Sequence, residues 1–401
     1  MSALDPIVRI AARGDGVTVS GRHVPMAAPG DSLDAQGHLV AGPHQQVPPC
    51  RHFPRCGGCQ LQHVDDMAYR QYLSDRVAGA LAGQGIDTPI IREPYLSPPR
   101  SRRRAVLKAQ SLGREAVVGF IEARSHRIID MRQCEILHPA LFALVAPVRA
   151  LMGRLLPRRG SGSVQMTLID GGVDVLLTGI AAEGLEAHEA LLAFASDHRL
   201  ARLAIDSGEG PEDRWAPDPA TVTLSAVPVS FPHGGFLQAT GDGEAALVSA
   251  VQEAVGQAKS VADLFSGLGT FSLALAGTAS VLAVEASRSA VVAQQVAANR
   301  HRSSIRCEHR DLYRRPLTAV ELSGHDAVVL DPPRAGAEEQ VRTLAASRVP
   351  VIAYVSCNPV SFARDAAILA AGGYHIDWVQ PVGQFRWSTH MELAARISRS
   401  D

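Results

Sequence analysis

The chain has 401 residues, 46% hydrophobic and 20% charged, with a formal net charge of −1. That balance is ordinary for a globular protein and leaves room for two or three domains. It holds no run of about 18 apolar residues and no basic-then-apolar leader, so neither a membrane span nor a signal peptide is expected. The cytoplasm is the expected compartment, where the six cysteines should serve ligation or catalysis rather than disulfides.

Residues 1–48 read as short strands broken by Gly-rich turns, suited to a small, truncated β-barrel. Pro and Gly then thicken around GPHQQVPPC, which reads as a linker. Cys50, Cys56 and Cys59 follow in PPCRHFPRCGGCQ, with Cys134 downstream in DMRQCEIL. Four thiolates suffice for a tetrahedral zinc site or a cubane iron–sulfur cluster. The C-x5-C-x2-C spacing leaves those two open. A helix is expected over 65–85, ended by glycines and packed on the catalytic domain.

From Ser97 to Gln133 nine Arg or Lys face three acids, and only Lys108 and Lys259 in the whole chain are lysine. Arginine suits bidentate phosphate contacts and base stacking, so the Arg100–Arg104 cluster is read as a nucleic-acid contact. Segments between 91 and 235 look like antiparallel strands with one or two helices. After 236 the rhythm becomes β–α alternation, the pattern of a doubly wound α/β sheet.

The loop Asp263-Leu-Phe-Ser-Gly-Leu-Gly-Thr follows one of these apolar strands. Gly267 and Gly269 would let the backbone approach a ligand at the strand's carboxyl end. Glu285, ending the next strand, suits a ribose diol, and Asp311 after the third suits an adenine edge. The third glycine of G-x-G-x-x-G is missing, which favours S-adenosylmethionine over a dinucleotide. Asp331-Pro-Pro-Arg334 and Ser356-Cys357-Asn-Pro close two further strands at the same edge. A thiolate from Cys357 adding to C6 of a pyrimidine would make C5 nucleophilic enough to take a methyl group. A base must then remove the C5 proton, and Glu392 in THMELAAR is the candidate. Cys307 reads as a buried small hydrophobe.

In family order, C-x5-CGGC-x-x-QH, VGF…SHRIIDMRQCEIL, GGFLQAT, DLFSGLGTFSL, AVEAS, DPPRAG, SCNP and H-x-E resemble the RNA uridine-C5 methyltransferases, in their iron–sulfur branch acting on 23S ribosomal RNA. The resemblance runs over nearly the whole chain. It implies a [4Fe-4S] cluster on Cys50, Cys56, Cys59 and Cys134, Cys357 as nucleophile and Glu392 as base. It also implies cofactor contacts from Gln238, Phe265, Thr270, Glu285, Asp311 and Asp331, with Gly267 and Gly269 in the cofactor loop. The implied division is a short TRAM-like β-segment over 1–48, a β-rich RNA-binding domain over 49–235, and a Rossmann-like methyltransferase domain over 236–401. Three departures stand out. The barrel is short, with Gly42 where strands should remain; Thr240 replaces the family's Asn; and FRWSTHME replaces its Phe-Pro-His-Thr run.

The expected partner is therefore 23S ribosomal RNA, with the transfer-RNA T-loop as alternative and a monomer as the default. The target uridine must be flipped out or lie in a loop for Cys357 to reach it. RNA cytosine-C5 methyltransferases usually add a cysteine in a Pro-Cys step, where this chain has Asp-Pro-Pro-Arg. Adenine-N6 enzymes want an aromatic where Arg334 stands. A non-catalytic, metal-bearing RNA-binding protein would not need Cys357, Glu392 and the acidic strand ends. An electron-transfer protein would call for a second redox centre that the sequence does not show.

Overall fold

The computed structural model describes residues 4–87, 89–113 and 115–399. At the amino end β1 (Asp5–Ile10), β2 (Gly16–Thr18), β3 (His23–Val24), β4 (Ser32–Leu33) and β5 (Leu39–Val40) form an antiparallel sheet in the order β3-β2-β1-β4-β5. This is the small barrel-like segment expected from the Gly-rich turns. Gly42 closes it: its N–H donates to the buried Asp31 carboxylate at 2.6 Å. A Cβ there would stand 2.1 Å from the Gly30 carbonyl oxygen, so no other residue fits.

Helix α1 (Asp66–Ala82) starts where the Asp65 carboxylate accepts the Ala68 N–H. Its Tyr69, Tyr72, Leu73, Val77 and Leu81 are buried in the core of the carboxyl-terminal sheet. Burying Leu73, Val77 and Leu81 contributes about 1.5–3 kcal/mol apiece, which fastens the helix there. Two short strands follow, β6 (Ile90–Ile91) and β7 (Tyr95–Leu96), and both pair into that same sheet.

The middle sheet is built from β8 (Arg104–Ser111), β9 (Ala116–Gly119), then α2 (Pro139–Ala143), α3 (Val145–Leu155), β10 (Ser161–Ile169), β11 (Gly172–Thr178), α4 (Leu185–Asp197), β12 (Arg202–Asp206) and β13 (Pro211–Trp215). Its order is β13-β12-β11-β10-β8-β9. In β8 alternate residues are buried, the period-2 signature of a sheet with one wet face. It is not wholly antiparallel: β11 and β12 run parallel, since α4 carries the chain back over the sheet. A hairpin of β14 (Thr221–Leu224) and β15 (Val227–Ser230) leads to the last unit.

There α5 (Gly241–Val255) precedes β16 (Ser260–Leu264), α6 (Thr270–Leu275), β17 (Ser280–Glu285), α7 (Arg288–Arg300), β18 (Ile305–His309), α8 (Ala319–Leu322), β19 (Ala327–Leu330), α9 (Glu338–Ala345), β20 (Val351–Ser356), α10 (Pro359–Ala371), β21 (Tyr374–Gly383) and β22 (Glu392–Arg399). The strands line up as β18-β17-β16-β19-β20-β22-β21-β6, with β7 also beside β21. The first five are parallel and β22 is antiparallel to both neighbours. Helices on both faces bury strands such as Ala327–Leu330 completely, the doubly wound sheet that the β–α alternation predicts. Strand order reverses between β16 and β19, and such a switch point opens a ligand crevice at the carboxyl ends. Among the described residues no helix is long and apolar enough to cross a membrane.

Candidate active site

The crevice is lined by strand ends. After β16, Phe265 and Gly267 take left-handed backbone conformations, φ 63° and 55°, and turn the chain into α6, which opens at Thr270. Gly269 (φ 94°) packs so closely on Gln294 that a Cβ would lie 2.7 Å from its amide nitrogen. Glu285, the last residue of β17, accepts the N–H of Gly267 at 3.0 Å and of Ser287 at 2.7 Å. These bonds fix the tip of the loop and orient the carboxylate. Asp311, just past β18, accepts the Tyr313 N–H at 3.0 Å. The Tyr313 ring sits 5.5 Å from that of Phe265, and its hydroxyl donates to the Gly336 carbonyl at 2.9 Å. Tyr313 thus ties the β16 loop to the Asp-Pro-Pro-Arg loop. Gln238 is buried, and its Oε1 accepts from Gln384 Nε2 at 2.7 Å.

Around the end of β19 three acids, from β16, the Asp-Pro-Pro-Arg loop and β22, act on one another. Asp263 is fully buried, donated to by Ser272, with one carboxylate oxygen unpartnered among the described residues. Burial, with the charge of Glu285, lifts it to about 7. Burial and the neighbouring Asp263 lift Asp331 to about 7 as well. Glu392 is 5% exposed. Burial and then Asp331 push it up to about 8, while Gln384 and the Arg104 guanidinium pull the other way. Cys357 is pushed up to about 11 by burial, then by Glu392 and Asp331, against the opposing charge of Arg334.

Cys357 and Glu392 meet through register. Ser356, the last residue of β20, pairs with Leu393 of β22, so the chain leaves the sheet at Cys357 near Glu392, whose charge acts on the thiol. Asn358 caps α10 and its Nδ2 donates to the Arg334 carbonyl at 3.1 Å, which locks the cysteine turn to the Asp-Pro-Pro-Arg loop. Thr240, in the place of the family's Asn, caps α5 through Gly243 and meets the Ser97 hydroxyl at 2.9 Å.

The arginine cluster is divided among tasks rather than forming one phosphate-binding patch. Arg100 pairs with Glu135 at 2.8 Å and Arg103 with Glu244 at 2.6 Å. Arg104 stacks 4.3 Å from Phe236 beside Glu392, and burial lowers it to about 10. Arg102, over the Phe385 ring, opens into a cleft of about 760 Å³ with Lys108, Phe120, Arg124 and His390. That cleft runs between the cysteine loop and the approach to Glu392.

Cys50, Cys56, Cys59 and Cys134 line one small cavity with Phe53, Gln62 and Ile136. Among the described residues no three or more His, Cys, Asp or Glu converge on a single metal ion, and the four sulfurs instead border the cavity. None of the four is in a disulfide, and Cys50 and Cys59 are buried. Burial raises Cys59 to about 12 and Cys134 to about 11, so without a bound cation they stay protonated. Cys307 is half-buried rather than fully buried; its place in β18 packs it against the sheet's core.

A family profile described as tRNA (uracil-5-)-methyltransferase matches residues 227–400. An RNA methyltransferase of Zymomonas mobilis is 46% identical over 98% of this chain and 99% of its own. The 23S rRNA (uracil(1939)-C(5))-methyltransferase RlmD of Chromohalobacter salexigens is 33% identical over 92% of this chain and 80% of its own. The chain belongs to the RNA uracil-5-methyltransferase family. This methyltransferase shares its fold with the tRNA (uracil-54, C5)-methyltransferase of Pyrococcus abyssi, solved with S-adenosyl-L-homocysteine. Their TM-score is 0.75 at 22% identity, covering 98% of this chain and 99% of that one. Gln384, Arg104 and Asp263 complete the site of the methyltransferase without having been singled out for it from sequence. Asp263 alone carried a signal, as the acid opening the glycine loop.

Proposed function

We propose that this enzyme methylates C5 of a uridine in RNA, with Cys357 as nucleophile and Glu392 as base. The observation that supports the reading is the β20–β22 pairing, which ends one residue before Cys357 and brings its thiol within the influence of the buried Glu392 carboxylate. S-adenosylmethionine, when bound, supplies the methyl group as a sulfonium cation. Glu285 would hold its ribose, Asp311 the adenine edge, and Phe265, Gly267, Gly269, Thr270 and Gln238 its remaining surface. The buried acids Asp263 and Asp331 favour a cation there.

The Cys357 thiolate bonds to C6 of a flipped uracil, and the C5=C6 electron pair moves toward O4. Once C5 carries the methyl group, Glu392 takes the C5 proton. The sulfur–C6 bond then breaks and restores the double bond. Both groups act ionised and both are held protonated in the free site, so kcat should climb steadily from pH 6 to pH 9. A flat profile over that window would remove the ionisations from the mechanism.

We read the 760 Å³ cleft as the path of the RNA strand, Arg102, Lys108 and Arg124 meeting phosphates and Phe120 and Phe385 offering stacking faces. The 33% relative that acts on 23S ribosomal RNA favours ribosomal RNA. The fold neighbour acting on uracil-54 of transfer RNA keeps that as the second reading. Mass mapping of both RNAs from a deletion strain separates them. One lost C5 methyl in 23S ribosomal RNA is expected, and loss confined to transfer RNA would overturn the substrate.

The four cysteines fit a [4Fe-4S] cluster by their chemistry. All four border one cavity, and backbone N–H groups of Gly58, Ile136 and Leu137 point at Cys56 and Cys134. Such donors stabilise thiolate ligands. Cys50, Cys56, Cys59 and Cys134 would hold the cluster, which would staple the loop 50–62 to the segment around 134. Replacing Cys134 by serine should strip the iron and weaken RNA binding about tenfold, some 1.4 kcal/mol. Iron content and filter binding measure both, and an iron-replete variant with full affinity would refute the ligand assignment.

A further inference from the structure

The loop 384–391, which leads into Glu392, is fastened to the cysteine loop and to α1 as well as to its own domain. The Trp387 carbonyl accepts the N–H of Gln60 at 2.8 Å and of Leu61 at 2.9 Å. Gln60 Oε1 accepts the Thr389 N–H at 3.3 Å. On the helix side, the Tyr69 hydroxyl reaches the carbonyls of Phe385 and Ser388, and Arg386 pairs with Asp66.

The indole of Trp387 is 5% exposed and packs with Cys59 and Ile136, against Phe53 and Cys134. Its backbone is left-handed, φ 59°, which an L residue adopts only when its surroundings hold it there. The indole N–H is buried with no acceptor among the described residues. A buried donor without a partner is costly, so apolar packing on the cysteine site, not a hydrogen bond, keeps the ring in place. At the other end of the loop Gln384 joins Gln238 and the Ala239 N–H and neighbours Glu392.

We infer that Trp387 is a positioning residue that transmits the integrity of the four-cysteine site to Glu392. The inference rests on the reading of Glu392 as the base. Cys357 lies outside this linkage, on the β20 turn held by Asn358 and Arg334. Disturbing Trp387 should therefore spare adduct formation and slow removal of the C5 proton.

The test is Trp387→Ala with Trp387→Phe as the conservative variant, in the full chain with substrate RNA. The alanine variant should turn over roughly 10- to 100-fold more slowly, the cost of misplacing a catalytic group by about 1 Å. The fraction of RNA held covalently on denaturing gels should rise at the same time. The phenylalanine variant should restore both toward wild type. If alanine prevents folding, Gln60→Ala, which removes the tie to Thr389 and the Nε2 bond to the Gly57 carbonyl but keeps the backbone bonds to Trp387, should still raise the adduct fraction. Slower turnover with an unchanged adduct fraction in the folded variant would overturn the inference. If Glu392→Gln also leaves the adduct unchanged, the reading of the base fails instead; if Glu392→Gln traps it, only the role of Trp387 fails.

Discussion

Cys357→Ala should lower methyl transfer roughly 10⁴-fold or more while S-adenosylmethionine affinity stays within about twofold. The two effects separate because the residues do. The cofactor crevice is shaped by the turns after β16 and β17, where Glu285 is fixed by Gly267 and Ser287. Cys357 stands two strands away on the other side of β19, at the end of β20. Removing its sulfur takes away one half-buried atom and leaves the Asn358 cap of α10 intact. Because the thiol is held protonated in the free site, its loss removes no charge, so the alanine variant should fold about as well as the parent. Calorimetric titration with the cofactor and methyl incorporation into RNA read the two quantities. Retained methylation would exclude covalent catalysis by Cys357, and lost cofactor affinity would move the thiol into the cofactor site.

Much of this site is readable along the chain because parallel α/β sheets put their chemistry at strand ends. Glu285, Asp331 and Cys357 each end or follow an apolar run and Asp263 sits inside one, so their shared edge could be inferred from periodicity, whereas Asp311 follows the more polar β18. What periodicity cannot give is lateral neighbourhood across an antiparallel insertion. The meeting of Cys357 with Glu392 depends on β22 entering between β20 and β21, which no local pattern dictates. Gln384 and Arg104 reach Glu392 by the same kind of long-range closure. Strands β6 and β7 are two residues each, too short for a period, so their pairing with β21 was invisible. The arginine cluster misled in another way: a run of like residues suggests one surface, but only Arg104 lies in β8, and acids contributed by distant segments claim Arg100 and Arg103. Trp387 looked like a departure from a family motif, and its meaning appears only when loop 50–62 is folded onto it.

Glu392→Gln should trap the RNA on the protein. Glutamine keeps the size of the side chain and can still bond Gln384, so the pocket of this 5% exposed residue has no reason to collapse. Attack by Cys357 on C6 and methylation at C5 do not require a base at position 392. The next step does, because elimination of the cysteine needs the electron pair that holds the C5 proton. Loss of a general base costs about 10²–10⁴-fold, and here that whole loss falls on the release step. A stable protein–RNA band on denaturing gels, carrying the transferred methyl group, is the expected product. The pH dependence gives an independent check with a fixed sign. Burial beside Asp331 holds Glu392 protonated up to about pH 8, so wild-type release should quicken as pH rises through that value. In the glutamine variant no group remains to ionise there, and the slow release should lose that rise. Free methylated RNA leaving the variant at the wild-type rate would take Glu392 out of the mechanism and leave the C5 proton to another base, such as Asp331, the acid whose charge acts on both Glu392 and Cys357.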